Sequence, residues 1–317
     1  MISFIVIGKN EGWRLEQCFN GIHSFITKEK IIDYEIIYVD SNSFDDSILI
    51  AKKNNITKVI LITGECSPSI ARQIGARESN GDILFFLDGD MELIPGFFHN
   101  IVDKNNHLTY PFISGIEYDV IHDRNWKFIK KIPRRRFEQG KDSYESTTGG
   151  LFIILASLWN KVNGMDTRFK YYEDVDLGLN LSKNQCPLCR KPLFFVNHFT
   201  ISYYDRGNPY MGTKYQALLL RKHFGCIKAH KYIFKSSYSL YFLVISLALC
   251  VLLSSYFPLF LYLLSLLYKC GRIITKSPQK QHPLKIIRTQ ICKDFLLLYY
   301  FVTFYPQKPK IEYMLIQ

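Results

Sequence analysis

At 317 residues, with 48% hydrophobic side chains, the chain is long enough for one large domain or two small ones around a substantial core. Its formal net charge of +12 is unevenly spread: residues 228–317 carry ten Lys and two Arg against one Asp and one Glu, whereas residues 1–227 carry 28 basic and 26 acidic side chains. The basic part is also the most apolar part, which points to a membrane surface with anionic lipids and away from nucleic acid, for which no recognition motif is present.

Met1 leads straight into a strand-like run, Ile2 to Ile7, so no signal peptide is expected. The alternation then continues. Trp13 to Ile26 places Leu15, Cys18, Phe19 and Ile22 on one helical face. Tyr34 to Val39 reads as a second strand ending at Asp40, and Asp45 to Asn54 as a helix with Ser43 as its N-cap. Lys58 to Ile62 is a third strand. Ser67 to Ser79 is a helix with Pro68 in its first turn, and Ile83 to Leu87 a fourth strand. Strands alternating with helices imply parallel βαβ units in a doubly wound α/β sheet. Further on, Phe112 to Asp119 and Gly150 to Leu155 read as strands, Ser157 to Asn163 and Glu173 to Lys183 as helices, and Lys127 to Arg136, with Arg134-Arg135-Arg136, as a basic loop that could face phosphates or simply be solvated.

The last ninety residues change character. No charged residue stands between Lys235 and Lys269. As one helix that stretch would be roughly 50 Å long at about 1.5 Å per residue, against a hydrocarbon core of ~30 Å. Ser254-Ser255 and Pro258 can break it, and lysines flank both ends. A re-entrant hairpin near 236–268 satisfies both facts; a single tilted span and a buried soluble helix pair are the alternatives. A further apolar segment, Phe295 to Phe304, follows Lys285, Arg288 and Lys293 and reads as part of an interfacial helix near 284–305. The expected division is therefore 1–227 for the α/β domain and 228–317 for membrane-associated helices.

Eight Cys are scattered without a framework, so reduced cytosolic thiols are expected. Cys186-Pro187-Leu188-Cys189 has the spacing of half a zinc site, but a second pair with similar spacing is missing, although His198, His223 and Cys226 lie downstream.

Asp88-Gly89-Asp90 carries the chemistry most directly. Two carboxylates one residue apart end a short apolar run that reads as a buried strand, and open α/β sheets bind ligands at such strand ends. Hard oxygen ligands suit Mg²⁺ or Mn²⁺, which bridges phosphates. A polar turn pivoting on Gly89 is the plain alternative. No G-x-G-x-x-G follows the first strand, which disfavours a dinucleotide oxidoreductase.

The triplet belongs to an ordered set: Ile7-Gly8-Lys9-Asn10-Glu11, then Val39-Asp40-Ser41-Asn42-Ser43, Ala71-Arg72-Gln73-Ile74-Gly75-Ala76, Gly81-Asp82-Ile83, Thr148-Gly149-Gly150 and Tyr172-Glu173-Asp174-Val175-Asp176-Leu177. In this order the motifs resemble a family 2 inverting glycosyltransferase of the GT-A fold, of the membrane-associated bacterial type, over roughly residues 2 to 225. The resemblance implies that Gly8, Asn10 and Glu11 lie by the nucleotide, that Asp40 and Ser41 read its base or ribose, and that Arg72 holds the pocket. It implies that Asp88 and Asp90 hold the metal and the donor diphosphate, with His198 as a further ligand. Asp174, supported by Glu173, would be the base that takes the acceptor hydroxyl's proton, and Gly149-Gly150 would let the backbone approach the substrate.

For several of these residues a plainer reading stands beside the functional one: a turn role for Asp40, a structural ion pair with Asp40 or a neighbour for Arg72, a structural role for His198, and favourable acid placement at a helix start for Glu173 and Asp174. Gly8 and Lys9 stand where the family usually has a small hydroxyl residue and an aromatic, which puts base contacts there in doubt. Residues Tyr215 to Phe224 only loosely match the basic helix that often precedes the membrane segment. No processivity motif is present, so a single-addition transferase is expected. The implied partners are a nucleotide-sugar donor and a lipid-linked or surface-polysaccharide acceptor, at the cytoplasmic face of the cell membrane. The competing readings are a nucleotidyltransferase on a related sheet and a catalytically inactive membrane-tethered scaffold.

Overall fold

The structure, a computed structural model, describes residues 1–317 except 124, 135–137, 202–207 and 277–281. The chain divides into two units, Met1–Ser202 with Gln307–Gln317, and Tyr203–Pro306. This boundary falls earlier than the one expected at 227/228, and the last eleven residues belong to the first unit.

The first unit is built on one sheet in the order β11 (Tyr313–Leu315), β3 (Lys58–Ile62), β2 (Tyr34–Asp40), β1 (Ile2–Gly8), β4 (Ile83–Asp88), β9 (Phe152–Leu155), β6 (Phe112–His122), β10 (Leu188–Ile201) and β5 (Met91–Leu93). Its first strands are β1 (Ile2–Gly8), β2 (Tyr34–Asp40), β3 (Lys58–Ile62) and β4 (Ile83–Asp88), all parallel. They read as unbroken apolar runs because both sheet faces are covered. Phe4, Val6, Phe85 and Leu87 pack into one core, while Ile5, Ile7, Leu84 and Phe86 pack into the other. Helix α1 (Leu15–Lys28) buries Leu15, Cys18, Phe19 and Ile22 against the first face, as its spacing predicts. Helix α3 (Pro68–Glu78) opens with Ser67 accepting from the Ile70 N–H at 3.3 Å and with Pro68 in its first turn.

Helix α2 (Ser47–Lys53) is shorter than expected, and Ser43 does not cap it. The Ser43 hydroxyl instead accepts from the Asn10 N–H at 2.8 Å, and Asp45 holds the helix start by accepting from the Ser47 N–H at 3.0 Å. The Ser43 reading is thus corrected: its oxygen serves the β1–α1 turn.

Beyond β4 the sheet becomes mixed. It contains β5 (Met91–Leu93), β6 (Phe112–His122), β7 (Phe128–Pro133), β8 (Ser143–Glu145), β9 (Phe152–Leu155) and β10 (Leu188–Ile201). Strand β9 runs antiparallel to both β4 and β6, while β10 runs parallel to β6. The stretch expected as a basic loop is largely β7, which pairs with β6 although all six of its residues are exposed. Backbone pairing, with no apolar burial, makes it a strand. Arg135 and Arg136 of that stretch lie outside the described residues. Two helices complete the unit, α4 (Ala156–Lys161) and α5 (Glu173–Lys183). At the far edge β11 (Tyr313–Leu315) pairs antiparallel with β3, and the Tyr313 hydroxyl donates to Glu78 at 2.6 Å.

The second unit is helical: α6 (Thr213–Lys222), α7 (Ile227–Leu253), α8 (Leu259–Lys276) and α9 (Pro283–Thr303). The apolar run breaks where Ser254-Ser255 and Pro258 stand, with Ser254 at φ 46°. Tyr256 and Phe257 at this break are 87% and 81% exposed, so the tip is apolar and uncovered. Helix α7 is long and apolar enough to cross a membrane by length and composition, with a mean hydropathy of 2.1 in its most apolar window. Inside the unit Leu243, Tyr262 and Leu266 form a small core, and Asp294 is buried with hydrogen bonds from Gln290 and Tyr262.

Candidate active site

The order β3-β2-β1-β4 puts β1 between two neighbours reached by opposite crossovers, and the crevice outside such carboxyl ends is where open sheets take ligands. The register aligns Gly8 with Asp40 and Ile7 with Asp88, so these strand ends lie level. A cavity of about 550 Å³ opens there. Of the residues expected at the site, Gly8, Glu11, Ser41, Arg72, Asp88, Asp90, Gly149, Gly150, Glu173 and Asp174 line it.

Asn10, Asp40 and His198 do not line this cavity. Asp40 is fully buried and accepts hydrogen bonds from the Tyr38 hydroxyl at 2.9 Å and the Ser43 N–H at 2.7 Å, which is the turn role. Asn10 adopts φ 57°, and its side-chain oxygen accepts from the Phe44 N–H at 3.0 Å. Both shape the loops around the crevice.

Arg72 is the centre of the arrangement. It is 2% exposed, its Nη2 donates to Asp88 Oδ1 at 2.6 Å, and its Nη1 donates to Glu173 Oε1 at 3.1 Å. Its ion-pair partners are therefore these two carboxylates, not Asp40. A planar fork suits this double engagement where a lysine ammonium does not. Burial, then the Asp174 charge, raises the Glu173 carboxyl to about 7 against the pull of Arg72. Burial, then Asp90 and Asp88, pushes Glu11 up to about 8.

The glycine pair has two different reasons. Gly149 sits at φ 78°, which disfavours any side chain. A Cβ on Gly150 would lie 2.1 Å from Asp88 Oδ2, so only glycine lets the Asp88–Arg72 pair exist there. Asp174, in the first turn of α5, accepts from the Gly149 N–H through Oδ2 at 3.2 Å.

Further cavity residues stand outside the expected site, among them Arg134 of the basic stretch that could face phosphates. Lys9, Arg134 and Lys170 bring positive charge to the rim, and Tyr172 caps α5 in the left-handed region at φ 66°. Tyr172 directly precedes the Glu173-Asp174 pair and Lys170 stands two residues before Tyr172, a signal within reach. Lys9 was counted only as a departure from a motif.

Whether a divalent cation fits can be judged from the donors. Among the described residues no group of three or more His, Cys, Asp or Glu side chains is assembled to hold a metal ion. His198 bridges two carboxylates, with Nδ1 2.8 Å from Asp119 Oδ1 and Nε2 3.4 Å from Asp90 Oδ2. Burial opposes its charge, but the hydrogen bonds to Asp119 and Asp90 prevail and push it up to about 10. Asp90 Oδ1, however, is buried without a hydrogen-bond partner, and Asp88 lines the same cavity. Two carboxylates plus substrate phosphates are what Mg²⁺ typically requires, so Asp88 and Asp90 fit a cation brought with a phosphorylated ligand. The Cys186/Cys189 pair does not make a zinc half-site: the two side chains pack into cores on opposite faces of the sheet.

Residues 3–157 match the family model described as Glycosyl transferase family 2. Over 128 residues the chain is 33% identical to glycosyltransferase AglE of Haloferax volcanii, covering 35% of this chain and 40% of that protein. It is 27% identical over 128 residues to a probable N-acetylgalactosaminyltransferase 7 of Caenorhabditis elegans, covering 37% of this chain and 21% of that protein. Among solved structures, S. aureus TarS 1–349 in complex with UDP-GlcNAc superimposes with a TM-score of 0.55 at 14% identity, over 75% of each chain. GalNAc-T7 with UDP, GalNAc and Mn²⁺ gives 0.52 at 15% identity, over 76% of this chain and 57% of that one. At such identities these structures speak to the fold alone.

Proposed function

We propose that this chain, which belongs to glycosyl transferase family 2 and has the GT-A fold, moves a sugar from a nucleotide-sugar donor to an acceptor hydroxyl with inversion at the anomeric carbon. The observation that carries the reading is the meeting of Asp88, Arg72, Glu173 and Asp174 in one cavity at the strand ends, with the Gly149-Gly150 backbone beside them. That TarS 1–349 was solved with UDP-GlcNAc and GalNAc-T7 with UDP, GalNAc and Mn²⁺ favours a nucleotide sugar and a divalent cation here too.

In this reading the rim cations Lys9, Arg134 and Lys170 attract the donor diphosphate, and Ser41 and Gly8 border its nucleoside end. A cation bound by Asp88 and Asp90 would neutralise charge growing on the leaving diphosphate. Arg72 keeps Asp88 and Glu173 fixed and charge-balanced. Asp174, oriented by the Gly149 N–H, accepts the acceptor's proton as its oxygen attacks. In a direct displacement the acceptor oxygen's bond to the anomeric carbon forms as the bond to the leaving diphosphate breaks, which inverts the centre. The apolar tip at Tyr256-Phe257, the length of α7 and the basic C-terminal third support seating on an anionic bilayer at the cytoplasmic face, and hence a lipid-linked or surface-polysaccharide acceptor.

A panel of nucleotide sugars, screened by thermal shift and by hydrolysis with and without Mn²⁺, tests the reading. One donor should raise the melting temperature and be turned over. A scaffold that kept the fold without the chemistry would hydrolyse none of them.

A further inference from the structure

We propose that Arg190 is a positioning residue for the base Asp174, acting through the single peptide group that joins Thr148 to Gly149. The proposal rests on the reading of Asp174 as the base. Arg190 is 2% exposed and, with Arg72, is among the largest fully buried side chains of the protein. It lies on β10, next to the register shifts that separate Arg190 from Phe194. Its Nη1 donates to the Gly115 carbonyl at 2.7 Å and to the Ser114 hydroxyl at 3.3 Å, and its Nε stands 3.0 Å from Glu145 Oε2. These contacts fix the guanidinium and balance its charge.

Its remaining arm, Nη2, donates to the Thr148 carbonyl at 3.1 Å. The N–H on the other end of that same peptide group is the one Asp174 Oδ2 accepts, at 3.2 Å. No peptide bond among the described residues is cis, so carbonyl and N–H point in opposite directions. One amide is thus held between a guanidinium and a carboxylate. A charge-assisted bond at the carbonyl polarises the amide and strengthens its N–H as a donor. The same loop is seated against α5 itself: a Cβ on Gly178 would lie 2.4 Å from the Ser146 carbonyl. Asp174 and the amide that orients it are therefore carried on two segments in close contact, and Arg190 sets the direction of the amide.

The discriminating experiment is a double-mutant cycle on the full-length protein in detergent, reading donor turnover and donor affinity. Arg190→Met should lower kcat by about 10- to 100-fold, the scale expected for a misplaced reacting group, with donor KM within about threefold of wild type. Arg190→Lys, which keeps the charge but loses the fork, should fall between. In an Asp174→Asn background, adding Arg190→Met should cost little more, because there is no base left to orient. If Arg190→Met does not fold, Arg190→Lys carries the same cycle. Losses that multiply, or that fall on KM while kcat holds, would mean that Arg190 only ties the sheet together, and the proposal would be wrong. Full turnover by Asp174→Asn alone would instead overturn the reading of the base.

Discussion

Arg72 and Glu173 are 101 residues apart in the chain, yet the guanidinium Nη1 donates to the carboxylate at 3.1 Å. Through the same side chain Asp88, at the end of β4, is tied to the first turn of α5. The strand that ends in Asp88 and the helix that opens with Glu173 and Asp174 thus share one buried counter-ion.

Removing that counter-ion leaves two half-buried acids facing each other. Arg72→Met should destabilise the fold by about 3 kcal/mol, the lower end for breaking a buried pair, read as a drop in the denaturant midpoint at unchanged slope. Arg72→Lys should recover only part, since one ammonium cannot serve both carboxylates. Equal stability of all three proteins would show that Arg72 does not hold these elements together.

The first four strands are legible because each is apolar on both faces, and Asp88 and Asp90 because they stand at the end of one of them. Strand β10 is not, for a physical reason: Pro192 interrupts it, and the sheet absorbs the proline through register shifts between Arg190 and Val196. Strand β11 follows a long apolar segment and joins an edge more than 240 residues earlier in the chain, which no local pattern reports. Asp40 carries the expected motif, yet its oxygens are taken by Tyr38 and Ser43, a matter of three-dimensional hydrogen bonding. Arg190 has no signature at all, because a buried arginine is defined by what surrounds it.

The carboxylates at the end of β4 give a second prediction. Asp90→Asn should lower turnover by at least ~100-fold, the order found when one electrostatic stabiliser is removed, and should abolish the response to added Mn²⁺. Its thermal unfolding without metal should stay close to wild type. Undiminished turnover of the wild-type protein in excess chelator would remove the metal from the account.

Glu11 gives the pH dependence. Its carboxyl is raised to about 8 in the fold from an ordinary 4.5, by burial and then by Asp90 and Asp88, with a hydrogen bond from Trp13 pulling the other way. The folded state therefore keeps a proton that the unfolded chain has released. The resulting stability is complete below about pH 4.5 and is lost as pH rises to about 8. In chelator, Glu11→Gln should gain stability relative to wild type across that window and run parallel outside it. Melting curves that stay parallel throughout would contradict the shift.

The helical unit makes a prediction about membranes. Phe257 and Phe260 are exposed at 81% and 51% at the break between α7 and α8. Replacing both with Asp should weaken binding to anionic vesicles by at least about tenfold, given the ~1.5–3 kcal/mol gained on burying each phenylalanine. Full-length protein that remains soluble without detergent and ignores such vesicles would refute membrane seating.

The central claim is that Asp174 takes the acceptor's proton in a direct displacement. It is tested by following, by proton NMR, the first-formed sugar that the protein releases from an α-linked nucleotide-sugar donor when water is the acceptor. The account predicts that the β-anomer appears before mutarotation, and that Asp174→Asn slows its release by roughly 100-fold or more while donor affinity holds. An initial α-anomer, or an Asp174→Asn protein that releases sugar at the wild-type rate, would contradict it.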